Sequence, residues 1–291
     1  MNLKTLKICQ VYKIASILFI MFCFLQNAIS LDIKTVYIDP TYTGTQLGTI
    51  SQPYISIPTP FENNTKYLFK GGTTFSTTTD YQYGVDNCTI GSYEGVAIIE
   101  SNVVGRCFLL DGNNNTIENL HIKALNNFGG ASNGSIIVEF KINGGKCTFR
   151  NLNLEGGWRG MVAGNYSGGT GILIIDSCKL HSTQSDGVYI DDLDSAIITN
   201  TEVWDVNINY KNDYGGDAVQ MESVIYPVVK NCFFDHSQAP GKYALILNGY
   251  ITADVSNSTI KSYDGEACAY LGDNKDDNKT TGRRARGAAD A

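Results

Sequence analysis

This sequence offers little to a helix. No segment before Asn119 carries apolar residues at helical spacing, and the intervals beyond it hold only short alternating runs, so a fold built on helices is excluded. It has no CxxC pair and no Cys/His cluster, which removes a structural zinc site. Basic residues are in deficit: 22 Lys and Arg against 29 Asp and Glu give a net charge of −7. That balance argues against nucleic acid as a partner. It also argues against unassisted binding of a polyanion, because like charges repel at encounter. Proline is scarce (6) beside 30 glycines, the composition of a chain with many turns and few rigid breaks.

The first thirty residues stand apart. Lys4, Lys7 and Lys13 lead into an apolar run, Ile14–Leu25, that closes on Gln-Asn-Ala-Ile-Ser. This is the pattern of a secretory leader, residues 1–30, cleaved after Ser30. The run is short of the ~20 residues a membrane helix needs, so no stable span is expected once the leader is removed. Loss of three lysines takes the net charge from −7 to −10. The protein is expected outside the cell or at its surface, as a monomer. Six cysteines remain, Cys88, Cys107, Cys147, Cys178, Cys232 and Cys268, and are read as free core thiols.

A repeat organises the rest. Its pattern is apolar, any residue, Asn or Ser, small or apolar, any residue, apolar. It recurs with its third position at Asn87, Asn119, Asn151, Ser177, Asn200, Asn231 and Asn257, separated by 32, 32, 26, 23, 31 and 26 residues. Such periods, filled by two or three short strands each, predict a right-handed parallel β-helix over residues 31–275, with roughly six to nine coils. The recurring Asn is assigned to a bend, its amide bonding the Asn of the next coil and satisfying groups that would otherwise be buried unpaired. Residues 276–291 hold no apolar side chain larger than alanine and are expected to be a disordered or truncated tail.

Chemistry is expected in one column. SDGVYID (Ser185–Asp191) and GGDAVQME (Gly215–Glu222) align so that Asp186 matches Asp217, Tyr189 matches Gln220, and Asp191 matches Glu222. The same frame places Arg159 before Asp186, and Tyr243 and then Glu266 after Asp217. Stacked strands would set these side chains about 4.8 Å apart. Two carboxylates that close hold a proton or a bridging cation. Calcium suits an extracellular, all-oxygen site, with Asp186, Asp217, Asp191 and Glu222 as ligands. Lys242, directly before Tyr243, and Arg159 are the candidate bases. Asp beside Gly is also ordinary turn chemistry, which would leave the column structural. His181 and His236, just after the bend strand, read as surface residues, and Trp158 and Tyr189 as sugar-stacking or core aromatics.

The VYIDP start (Val36–Pro40), LFKGGTTF (Leu68–Phe75), TIGSYEGVAII (Thr89–Ile99), the bend-Asn repeat and the DG and GDA strands resemble secreted right-handed parallel β-helix proteins of the pectate lyase superfamily. In family 9 polysaccharide lyases, an Asp-Gly strand start, acids on the next coil and a following lysine form a calcium site with a lysine base. Asp186, Asp217 and Lys242 resemble that order, with GGDA where the family carries Asp-Asp-Gly. The chain is also similar to polygalacturonase-type glycosidases, without their Asn-Thr-Asp and Gly-His-Gly signatures. The resemblance implies a polysaccharide lyase that cleaves a uronic-acid polymer by calcium-assisted β-elimination, with catalytic residues among Lys242, Arg159, Asp186 and Asp217. A glycoside hydrolase using Asp186 and Asp217 as its carboxylate pair and a non-catalytic sugar-binding surface protein are the alternatives.

Overall fold

Short alternating runs broken by left-handed residues leave the chain one economical course, a coil of three strands per turn. The computed structural model describes residues 33–125, 136–164, 170–208, 216–238, 243–263, 267–273 and 283–285. The expected leader lies outside them. The chain from Thr35 on is a parallel β-solenoid of about 7 turns, with no helix among the described residues.

The first face stacks β4 (Tyr81–Gly84), β7 (Arg106–Asp111), β10 (Ile136–Lys141) and β13 (Arg159–Gly164). It continues through the first halves of β16 (Val188–Thr199) and β18 (Val219–Lys230), then β20 (Leu245–Tyr250) and β23 (Ala269–Asp273). The second stacks β1 (Lys34–Ile38), β2 (Thr65–Lys70), β5 (Thr89–Tyr93), β8 (Thr116–Glu118), β11 (Lys146–Arg150) and β14 (Ile172–Asp176), then the second halves of β16 and β18, and β21 (Asp254–Ser256). The third is a separate sheet of β3 (Thr74–Thr77), β6 (Ala97–Ser101), β9 (Leu120–Ala124), β12 (Asn153–Gly156), β15 (Lys179–His181), β17 (Glu202–Trp204), β19 (Phe233–His236) and β22 (Thr259–Ser262). Pairing within these stacks is parallel; β24 (Arg283–Ala285), inside the 276–291 segment, lies antiparallel on β23.

Period two sends every second residue inward. In β16, Val188 and Ile190 are buried, then Leu193, Ala196 and Ile198. The phase shift falls at Asp192, whose positive φ of 52° turns the strand onto the second face and points both halves at the core. Ser223 (54°) and Gly249 (72°) do the same one and two coils on. Inside, Phe140 from the first face and Phe149 from the second face of the same coil stack nearly parallel, with ring centroids 4.2 Å apart.

The Asn ladder is present and has a different cause from the one expected. Asn119, Asn151, Ser177, Asn200, Asn231 and Asn257 fall in register at the corner between the second and third faces, all with φ between 49° and 57°. Asn tolerates this left-handed conformation better than other side-chain-bearing residues, because its short amide bonds locally. Asn151 donates to Asn119 at 3.1 Å, and Asn200 donates to Asp176 at 2.9 Å where Ser177 interrupts the row. Most of these amides are exposed, so the ladder serves the bend and not a buried polar row. Asn87 belongs elsewhere. Thr89 pairs with Thr116, which sets Asn87 beside Asn114 and, on its other side, Asn64, at the corner before the second face. Its side chain donates to Asn64 at 2.8 Å. The pattern match at Asn87 arose because both corners need a left-handed residue before an apolar strand.

The described cysteines are free; Cys88, Cys178 and Cys232 take core positions, and burial pushes the Cys88 and Cys178 thiols up to about 12.

Candidate functional site on the first face

Three columns of side chains run up the first face. The corner column reads Arg106, Ile136, Arg159, Asp186, Asp217, Tyr243. The middle column reads Leu109, Glu139, Val162, Tyr189, Gln220, Ile246. The third reads Asp111, Lys141, Gly164, Asp191, Glu222, Asn248. The alignment expected from sequence is therefore correct from Arg159 to Tyr243. It slips by one beyond, because Leu245 pairs with Ala269 and the strand frame brings Ala267, not Glu266, level with Tyr243. Glu266 and Lys242 lie outside the described residues.

The residue after each acid in the corner column is small for a steric reason. Gly160, Gly187, Ala218 and Ala244 share one row where the chain turns inward. A Cβ on Gly187 would run into Val203 and lie 2.7 Å from the Ala218 carbonyl oxygen.

Asp186 and Asp217 are both buried, 2% and 6% exposed, and couple the coils. Asp186 Oδ1 accepts from the Asp217 N–H at 2.9 Å, and Asp217 Oδ1 accepts from the Tyr243 N–H at 2.8 Å. Asp186 Oδ2 faces Arg159 Nε at 2.8 Å, an ion pair whose N–H is not aligned as a hydrogen bond. Burial raises the Asp186 pKa, while Arg159 and the Asp217 N–H pull it back. The Arg159 guanidinium also lies 4.4 Å from the Tyr189 ring centroid. Its side chain is 30% exposed, and among the described residues no partner engages its terminal NH2 groups.

A cation thus already stands at Asp186, and it is a guanidinium. Calcium takes six to eight oxygens, whereas each of these two aspartates commits one oxygen to the backbone of the next coil and Asp186 commits its other to Arg159. Among the described residues no group of three or more His, Cys, Asp or Glu is placed to hold a metal. The corner column as described does not fit calcium. The third column also lacks such a group among the described residues, and differs in that its acids are less committed. Asp191 is half-buried, its pKa raised by burial and then by Asp192 and Glu222, and it makes no ion pair among the described residues. Glu222 accepts from Gln220 at 2.9 Å and from Asn248 at 2.7 Å. These are oxygen-rich neighbours that make no ion pair among the described residues.

The histidines stand on the third face. His121 lies 3.2 Å from Glu155, and His181 stacks on Trp204 with ring centroids 4.8 Å apart. His236 was expected at the surface and is 1% exposed. Its Nε2 donates to the Gly216 carbonyl at 2.7 Å, pinning the corner before Asp217. Sequence alone missed it because its partner carbonyl lies 20 residues away along the chain. Trp158 is buried. Burial raises the Tyr189 phenol above its ordinary value. Sequence also passed over Arg106 and Glu139, an ion pair whose members sit 33 residues apart in no recurring motif.

No protein-family model and no curated protein sequence matches the chain. In fold it is similar to the crystal structure of pectate lyase Pel9A, at 14% identity and a TM-score of 0.45 over 81% of this chain and 78% of that one. It is similar also to a rhamnogalacturonan lyase, at 12% identity and a TM-score of 0.41 over 83% of this chain and 65% of that one.

Proposed function

We infer that the chain is a carbohydrate-active solenoid, acting outside the cell, that binds an acidic polysaccharide along its first face and cleaves it by β-elimination. The observation that carries this reading is the Arg159 guanidinium, set between a buried carboxylate and an aromatic ring with its side chain 30% exposed. A planar fork held in this way matches a carboxylate. It also answers the objection raised by a net charge of −7, because the acids beside it are buried while the guanidinium is partly exposed.

Elimination needs little else. A base removes the proton from the sugar carbon that bears the carboxylate. A double bond forms to the neighbouring carbon, and the bond from that carbon to the glycosidic oxygen breaks, the oxygen taking a proton from solvent. Arg159 pairs the carboxylate and stabilises the charge that develops on it. Tyr189 holds the guanidinium's other face, and Asp186 fixes its position. Lys242 is assigned as the base on its sequence position directly before Tyr243, one coil beyond Asp217. A calcium ion held by Asp191 and Glu222 would neutralise a further carboxylate of the same chain.

The test is the ultraviolet absorbance of the unsaturated product on a panel of uronic-acid polymers. Arg159→Gln is expected to lower kcat/KM by about a hundredfold or more, the size of losing one preorganised charge partner. New reducing ends without unsaturation would replace this reading by a hydrolase. Neither signal, with binding retained, would leave a sugar-binding protein.

A further inference from the structure

Arg106 and Arg159 occupy the same column with Ile136 between them, so they stand two coils apart, roughly 9–10 Å along the axis. Both are about one-third exposed, 34% and 30%. Each is held through Nε by an acid from the next coil that is itself buried, Glu139 for Arg106 and Asp186 for Arg159. Glu139 stands on the outer side of the sheet between Leu109 and Val162, both buried yet outside the core cluster. An aliphatic residue would fill that place at less cost than a desolvated carboxylate. Among what the carboxylate adds is the position of Arg106.

We propose that Arg106, positioned by Glu139, is a second carboxylate-binding subsite that reads an acidic sugar chain two coils from Arg159. The proposal rests on the reading of this face as a polyuronate site and deepens it. The Arg106 side chain, like that of Arg159, is about one-third exposed, which leaves part of its guanidinium within reach of a ligand. Two forks this far apart are filled together only by carboxylates separated by roughly 9–10 Å along the axis. The pair therefore selects chains of several acidic residues laid along the solenoid axis, over short oligomers and over neutral or sparsely charged polymers.

Calorimetric titration of the intact chain with the dimer and the hexamer of galacturonate at low salt tests this. The wild type is expected to bind the hexamer more tightly than the dimer by roughly tenfold to a hundredfold, the range for an added charge-assisted contact. Arg106→Gln combined with Glu139→Gln, which avoids leaving a buried carboxylate uncompensated, is expected to remove most of that ratio. Arg106→Lys keeps the charge against Glu139 and loses the fork; it is expected to lose part of the ratio and answers the question if the neutral pair does not fold. A hexamer-to-dimer ratio unchanged in the folded variants overturns the subsite and leaves the Arg159 site standing. Failure of the wild type to bind either oligomer overturns the polyuronate reading, and the subsite with it.

Discussion

Arg159 and Asp186 stand in register on adjacent coils, and their side chains meet at 2.8 Å, with the carboxylate buried and the guanidinium partly open. The acid expected to hold a metal instead orients an arginine. That exchange changes how the variants of this column should behave.

Burial is the largest influence on Asp186 and raises its pKa above the ordinary carboxylate value. A carboxyl with a raised folded pKa stabilises the fold at acid pH, and loses that contribution as pH climbs through the raised value. The stability of wild type relative to Asp186→Asn is therefore expected to fall from pH 3 toward neutrality and then level off, as read by thermal midpoints of both proteins across that range. A difference that grows with pH would mean that the Arg159 attraction outweighs desolvation.

Calcium should act through the third column. Asp191 carries a pKa raised by burial and by its acidic neighbours, so Asp191→Asn is expected to be no less stable than wild type in chelator. The wild type should gain about 2.7 kcal/mol when calcium is a hundredfold above its dissociation constant, and Asp191→Asn or Glu222→Gln should lose most of that gain. Melting curves with calcium and with chelator decide it; a wild-type midpoint that millimolar calcium does not move removes the ion from this face.

The left-handed ladder makes a backbone prediction. Asn200 has a φ of 51° and donates to Asp176. Asn200→Ala should cost roughly 1–2 kcal/mol, and Asn200→Gly clearly less, since glycine keeps the conformation free of strain. Urea midpoints for the two variants should separate in that order.

Gly187→Ala should destabilise by about 1–3 kcal/mol through overpacking against Val203 and the Ala218 carbonyl. A loss of midpoint in thermal unfolding is the readout. If Asp-Gly is only turn chemistry at this place, the midpoint will hardly move, since Gly187 does not have a positive φ.

The sequence by itself determined the solenoid, the corner ladder from Asn119 to Asn257 and the alignment of Arg159, Asp186 and Asp217. Each rests on a local property: period-two burial, the left-handed tolerance of Asn, and spacing within one repeat. Tertiary structure alone decided what depends on register between coils. It moved Asn87 to the preceding corner, shifted the last strand of the column by one residue, and brought His236 beneath the Gly216 carbonyl. It buried Asp186 and Asp217 against the backbone of the next coil, and it joined Glu139 to Arg106. A one-residue slip reverses the face that a strand residue points to. The burial of a carboxylate and the partner it meets are therefore set by neighbours one full turn away, about which a single repeat says nothing.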